Sequence, residues 1–249
     1  MKRFWILTRS MFLVHIRNRM TLFWNMVFPI FLLAIYGMVF GGMSVGNENY
    51  FIWMIPGVIV LNILAYGLMA SSTMLVNMRE TGVLMRLHAT PVNALELVSA
   101  YVLINILIAL LQSGAILLAA ALFFDFRLSA EMLARSVPAV LLAIVTSVAM
   151  GQLVSGIAPR VSVAGALGQL LYFSQMFITD MVIPVDLLPE WLRGIVQYLP
   201  GYAVTQLVRA PLLNTAWSSA AGTHVAVVAA YALGCVLIAA LLFRWAPRS

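Results

Sequence analysis

Apolar residues run along this chain in long blocks separated by short polar stretches. A hydrocarbon core about 30 Å thick requires about 20 residues of helix to cross it. Six blocks meet that requirement, at 22–42, 52–76, 94–124, 137–158, 162–183 and 221–243, and they predict six transmembrane helices. Ahead of them, residues 1–21 mix basic and apolar positions. On a helical wheel Phe4, Leu7, Met11 and Val14 share one side and Lys2, Arg9 and Arg17 lie broadly opposite, although Ile6 and Leu13 fall on the basic side. Such a segment reads as an interfacial helix. A secretory leader is not expected, because the basic region is too long and no small-residue cleavage site follows.

Two spans carry a polar stripe at helical spacing. Asn62, Tyr66, Met69, Thr73 and Asn77 line up on the second. On the fifth, Ser162, Gly165, Gly168, Gln169, Tyr172, Gln175 and Thr179 share a face opposite Leu167, Leu170, Leu171, Phe173, Phe177 and Ile178. Uncharged polar groups in hydrocarbon turn toward protein or a cavity, because lipid leaves them unpaired. For any one residue, a pathway wall and a bond between packed spans both fit. As a set, the fifth-span face reads as a pathway. Gly37 and Gly41, a small-x-x-x-small pair in the first span, read as packing.

The polar stretches between spans have structure of their own. Residues 78–90 hold Arg79, Glu80 and Arg86 among Val83, Leu84 and Leu87. Pro91 disfavours helix at Thr90, and Asn93 with Glu96 reads as the cap of the next helix. A short amphipathic helix is expected, with Val83, Leu84 and Leu87 against its own protein and Arg79, Glu80 and Arg86 toward a partner or water. An ordinary loop and a docking helix fit this local pattern alike. Residues 184–212 predict two short external helices. Asp186 precedes Leu187-Leu188, Pro189 suits a first helical position, a helix runs to Tyr198, and a second spans 202–209. Trp191, Tyr198, Tyr202 and Trp217 suit an interfacial aromatic belt. An exposed loop would leave Leu187, Leu188, Leu192, Ile195, Val196 and Leu199 in water.

Composition fixes the class. Of 249 residues, 63% are hydrophobic and 9% charged, with mean hydropathy +1.03, whereas a soluble domain is about 25% charged. This is an all-α integral membrane protein. The net charge of +6 gathers at the span boundaries and reports topology, so no nucleic-acid partner is expected. Five Lys and Arg precede the first span, two lie in 77–94, Arg160 is in the next turn and Arg244 and Arg248 follow the last span, ten in all. Only Arg127, Arg135, Arg193 and Arg209 lie on the other side. Both termini are therefore expected in the cytoplasm. The lone Cys235 excludes a disulfide framework.

Absent motifs narrow the function. There is no G-x-x-x-x-G-K-[ST], so nucleotide phosphates have no cradle, and no H-E-x-x-H. His15, His88 and His224 are isolated. No carboxylate lies in mid-span; Asp180 is near the outer end of the fifth and Glu96 near the inner end of the third. That weakens a proton-coupled carrier, and no inverted repeat is evident. The energy source must lie elsewhere.

Several stretches together resemble the permease subunit of type-2 ABC exporters of the compact daunorubicin-resistance-like kind. They are F-W-N-M-V-F-P-I-F-L-L at 23–33, G-M-V-F-G-G at 37–42, I-P-G-V at 55–58, R-E-T-G-V-L-M-R-L-H-A-T-P-V at 79–92, M-V-I-P-V-D-L-L-P-E-W-L at 181–192 and Y-L-P-G-Y at 198–202. The resemblance covers essentially the whole chain, and 79–92 is its most specific part. It implies a single permease domain in a cell inner membrane. Residues 79–90 would be a coupling helix in a groove of a separate ATPase, with Arg79, Glu80, Leu84, Arg86 and Leu87 at the contact and the N-terminal helix as a second contact. Asn62, Tyr66, Thr73, Gln169, Tyr172, Gln175 and Thr179 would line a pathway between this permease and a second copy or paralogue. Asp186, Trp191 and Tyr198 would belong to an outer gate. ATP and Mg would reside on two ATPase subunits, leaving this chain without a cofactor, metal or catalytic residue.

The expected cargo is an amphiphilic drug, antibiotic or lipid-like molecule, and export as the direction rests on the resemblance alone. Two departures stand out: His88, where a basic residue is common, and Thr179-Asp180-Met181, where small or apolar residues are usual. Asp180 fits a substrate contact or a helix cap. A secondary carrier or channel without ATPase, and a scaffold that recruits a soluble partner, remain the other function classes.

Overall fold

Hydrocarbon offers no partner to a backbone amide, so a spanning segment must satisfy its own hydrogen bonds, and the apolar blocks fold as helices. The structure, a computed structural model, describes residues 2–40, 42–45, 48–88, 94–124, 126–215 and 218–242. Helix α1 (Lys2–Arg17) is followed by α2 (Arg19–Phe40) and a two-strand hairpin, β1 (Ser44–Val45) with β2 (Glu48–Asn49). The second block is α3 (Tyr50–Ala65), a π turn (Tyr66–Ala70) and α4 (Ser71–Glu80), followed by the short α5 (Val83–His88). Then come α6 (Ala94–Phe123), α7 (Ala130–Ile157) and α8 (Val161–Ile178). A 3-10 turn (Val185–Leu187), α9 (Glu190–Val196), α10 (Pro200–Leu212) and α11 (Ala221–Leu242) complete the order.

Five described stretches are long and apolar enough to cross a membrane: Tyr50–Glu80, Ser99–Phe123, Ala130–Ile157, Val161–Ile178 and Ala221–Leu242. The first expected span is α2, in which the described apolar stretch is the shorter Met26–Val39. The protein is thus an all-α membrane protein, with element ends that differ from expectation where a cap decides them. Ser129 accepts from the Met132 amide at 3.1 Å, so α7 starts seven residues before the expected 137 and takes Arg135 into the helix. The fifth span stops at Ile178 instead of 183, where Thr179 turns the chain.

Helix α7 is the hub, packed against α3, the π turn, α4, α6, α8, α10 and α11. Two glycines let it approach the second span at backbone distance. A Cβ on Gly151 would sit 2.0 Å from the Gly67 carbonyl oxygen, and one on Gly67 would meet Ser147 Cβ at 2.3 Å. Gln152 then donates to Ser71 Oγ at 2.9 Å across the same seam. The core runs along α3 through Met54, Ile55, Ile59 and Leu64 and meets Ile116, Ile144, Met181 and Leu212. The outward faces are apolar, as on α11, where Leu233, Leu237 and Leu241 are exposed.

Helix α1 packs on α6 and α2. Its inward stripe includes Phe4, Leu7 and Met11 as expected, but Val14 is exposed and Thr8 and His15 take the inward positions. Arg9 and Arg17 are exposed. The predicted single helix over 78–90 is two helices. α4 carries on to Glu80, and Gly82, at φ +70°, reverses the chain before α5 begins. Left-handed backbone at that point costs glycine nothing. The Thr81 amide donates to the Asn77 carbonyl at 2.9 Å and the Gly82 amide to the Arg79 carbonyl at 3.2 Å, closing the end of α4. The caps expected of Thr90-Pro91 and Asn93 lie outside the described residues, as do Trp217 and Gly41.

Candidate functional site

The polar stripe of the second span forms one wall of a groove of about 630 Å³. Asn62, Tyr66, Met69, Thr73 and Asn77 all line it, joined by His15 and Asn18 from the N-terminal helices, Tyr101 from α6 and Val161 from α8. That volume suits a drug-sized ligand. The stripe is accessible because the opposite side of the same helix is committed: Leu68, Ser71 and Ser72 are buried. The π turn lies in the middle of this wall, with Tyr66 as its first residue. Single π turns recur at functional sites because they re-aim side chains along a helix face.

Chemically the groove is amphipathic and uncharged. Among its described lining residues there is no Asp, Glu, Lys or Arg. The Tyr66 hydroxyl lies 3.3 Å from His15 Nδ1, tying α1 to the π turn. Burial pushes the His15 imidazole below its usual range, so it is neutral at pH 7 and adds no charge to the wall. Thr73 spends its hydroxyl proton on the Met69 carbonyl, at 2.7 Å, and keeps acceptor capacity. Met69 and Met74 supply polarizable, adaptable surface.

The fifth-span face does not act as one wall. Gly168 packs onto α4's approach, where a Cβ would lie 2.5 Å from the Leu68 carbonyl oxygen, and Gly165 faces Thr73 Cγ2. Gln175 is buried and accepts from the Gly201 amide at 2.9 Å, tying α8 to α10. Thr179 is buried and donates to the Gln175 carbonyl at 2.5 Å. Gly165, Gly168 and Gln175 are thus engaged with neighbouring helices, and the Thr179 bond closes the end of α8 itself. Tyr172 lines a smaller pocket with Phe28, Tyr36, Leu61 and Asn62, and Gln169 is exposed. The sequence pattern places all of them on one face correctly, but periodicity does not say which part of that face a neighbouring helix covers.

The residues expected at a partner contact separate in the same way. Arg86 is exposed, whereas Leu84, expected at the contact, is buried on the inward side of α5; the Leu87 side chain is outside what is described. Arg79 departs from expectation. It is 4% exposed, and its guanidinium donates to the carbonyls of Ser155 and Ala158 at the end of α7. Glu80 is exposed, and its Oε1 accepts from the Val161 amide at 3.0 Å, at the start of α8.

At the other end of the spans, the sequence reading missed a buried ion pair. Asp180, just past α8, pairs with Arg209 of α10; their side chains are 7% and 8% exposed. The Asp180 carboxylate also accepts from Gln206 Nε2 at 2.8 Å and from the Val185 amide at 2.9 Å. Arg209 donates to the Asp180 carbonyl at 2.5 Å and lies 4.0 Å over the Trp53 ring. Asp180 is therefore an anchor between α8, α3 and α10. The signal was present as a carboxylate and an arginine in apolar surroundings, but nothing in their spacing marks them as partners. The expected gate residues Asp186, Trp191 and Tyr198 are all exposed around α9. Leu187 and Ile195 are exposed with them, and Val196 is buried.

A family model for ABC-2 type transporters matches residues 2–213, which includes the groove, the α4–α5 break and the Asp180–Arg209 anchor. No curated protein matches the chain.

Proposed function

This chain belongs to the ABC-2 type transporter family, and from that premise we propose that it is the membrane half of an exporter driven by a separate ATPase. Membership makes it a permease subunit of an ABC-type transporter, a transport subunit and not itself a catalyst. In the proposed mechanism two ATPase subunits close on ATP, and their motion enters the permease through α5, with α1 as a second contact. Both termini and α5 lie on the cytoplasmic side of a cell inner membrane. A second permease, copy or paralogue, completes the pathway.

The groove carries this reading. A volume of about 630 Å³ walled by Asn62, Tyr66, Thr73 and Asn77, with no charged residue among its described lining, favours an amphiphile that brings hydrogen-bonding groups but no strong charge. An ion placed there would lose hydration with nothing to offset it. Tyr172 and Gln169 of α8 extend the wall toward the second permease, and α9 with Asp186, Trp191 and Tyr198 forms the outer gate. A proton-driven carrier is disfavoured by the same observation, since the described lining residues include no carboxylate to load.

The test is transport in inside-out vesicles of the native membrane. ATP-dependent accumulation of a fluorescent neutral amphiphile, lost on Asn62→Leu/Thr73→Val, is the expected outcome. Uptake driven by an ion gradient in the absence of ATP would assign the chain to the secondary carriers.

A further inference from the structure

The turn between α7 and α8 is short, and the Ala158 amide closes the end of α7 on the Val154 carbonyl at 2.9 Å. Arg160, at the N-cap position of α8, makes no side-chain capping bond. The last carbonyls and first amides of any helix find no partner within that helix. At this turn both sets receive one from the same two adjacent residues, about 80 positions earlier in sequence. The Arg79 guanidinium holds the Ser155 and Ala158 carbonyls, and the Glu80 carboxylate holds the Val161 amide. The signs match the helix ends: a cation lies at a helix C-terminus and an anion at a helix N-terminus. Val76 of α4 packs with Ala158, Ala164 and Val161 beside these bonds. On the other side of the pair, Gly82 starts α5 two residues later, with the Arg86 amide donating to the Gly82 carbonyl at 3.1 Å.

We propose that Arg79 and Glu80 form a clamp that fastens the end of the second span to the α7–α8 turn, so that displacement of α5 moves α4, α7 and α8 as one body. The proposal deepens the coupling reading and rests on it. It divides the charged segment into two jobs. α5 meets the ATPase, and Arg79 and Glu80, as positioning residues, pass its motion inward to the groove wall that α4 carries.

Two substitutions cut the clamp from opposite sides. Glu80→Ala removes the acceptor together with its charge. Val161→Pro removes the amide donor and keeps an apolar side chain of similar size, at a first helical position where proline fits, after a residue already in extended backbone (Arg160, φ −136°, ψ 156°). Val161→Pro leaves the Glu80 carboxylate free for any outside partner. The full complex would be purified from native membrane. Three readouts are taken: the permease-to-ATPase ratio and transport per ATP hydrolysed in the unlabelled complex, and, in separately purified permease, the distance between spin labels at Met85→Cys and Ser162→Cys in a Cys235→Ser background.

Both variants are expected to keep the ATPase bound, to lower transport per ATP about tenfold, as loss of one charge-assisted hydrogen bond allows, and to broaden the label distance. Glu80→Gln, which keeps an acceptor, is expected to restore all three. Loss of the ATPase in Glu80→Ala, with Val161→Pro behaving as the parent, overturns the clamp and makes Glu80 a docking residue. Unchanged label distances in both variants overturn it as well. Should the parent carry no ATPase, the coupling reading fails, and the label distances still decide whether the clamp exists.

Discussion

Arg209 and Arg135 both lie outside the expected membrane core on the same side, and their surroundings give them different weight. Arg209 is desolvated between Asp180 and the Trp53 ring. Removing one partner leaves the other charge buried without compensation, which typically costs about 3–5 kcal/mol. Arg209→Leu is therefore expected to lower the unfolding midpoint in detergent strongly or to prevent a monodisperse preparation. Arg135 lies 3.7 Å from Glu131, whose side chain is 76% exposed; such a pair is worth about 0–1 kcal/mol. Glu131→Ala should leave the midpoint nearly unchanged, and equal effects of the two substitutions would contradict the assignment of Asp180–Arg209 as an anchor. At this scale the sequence is least informative. It identifies Arg79, Glu80, Asp180 and Arg209 as charges worth explaining, but their partners lie 29 to 81 positions away, and hydrophobic periodicity carries no record of such pairings.

Helices are the scale at which hydrophobic pattern speaks most directly, because each span must bury or face lipid over its whole length. The second span, the long α6 and α11 follow from apolar block length, and the two external helices follow from Pro189 and the apolar runs after it, although Pro200 opens α10 two residues before the expected 202. What the pattern does not resolve is how a charged helix end divides. Residues 78–90 read as one amphipathic unit, yet a single left-handed glycine assigns Arg79 and Glu80 to the preceding span and begins α5 afresh. Close approach is equally specific. Gly151→Val would drive a side chain into the Gly67 carbonyl, whereas a Cβ at Gly114 meets nothing within 4 Å. Gly151→Val is expected to abolish folded protein on size-exclusion chromatography. Gly114→Ala is expected to be tolerated and to gain up to about 1 kcal/mol of helix propensity. Folded Gly151→Val protein with parent-like melting would show that α7 and the π turn are not packed backbone to backbone.

For the molecule as a whole, charge asymmetry and the groove must agree on direction. Ten basic residues on one side against four on the other predict an inward N-terminus and inward α5. A thiol-reactive, membrane-impermeant reagent applied to intact cells should label Tyr198→Cys, and should reach Ser10→Cys or Met85→Cys only after lysis; the reverse pattern would invert the topology. The fold class was legible in composition and block length, and the groove's second-span wall in residues 62–77. The fifth-span face was not, since α4 and α10 cover much of it.

The claim on which the rest depends is that this permease works only with an ATPase engaged through α5. The most direct measurement is purification of the chain from its native membrane in mild detergent, with identification of co-purifying subunits and assay of ATP hydrolysis. The parent should bring a stoichiometric nucleotide-binding subunit, and Arg86→Glu with Met85→Asp, both at exposed positions of α5, should lose it while remaining inserted. A chain that arrives alone and moves solute without ATP would contradict the account.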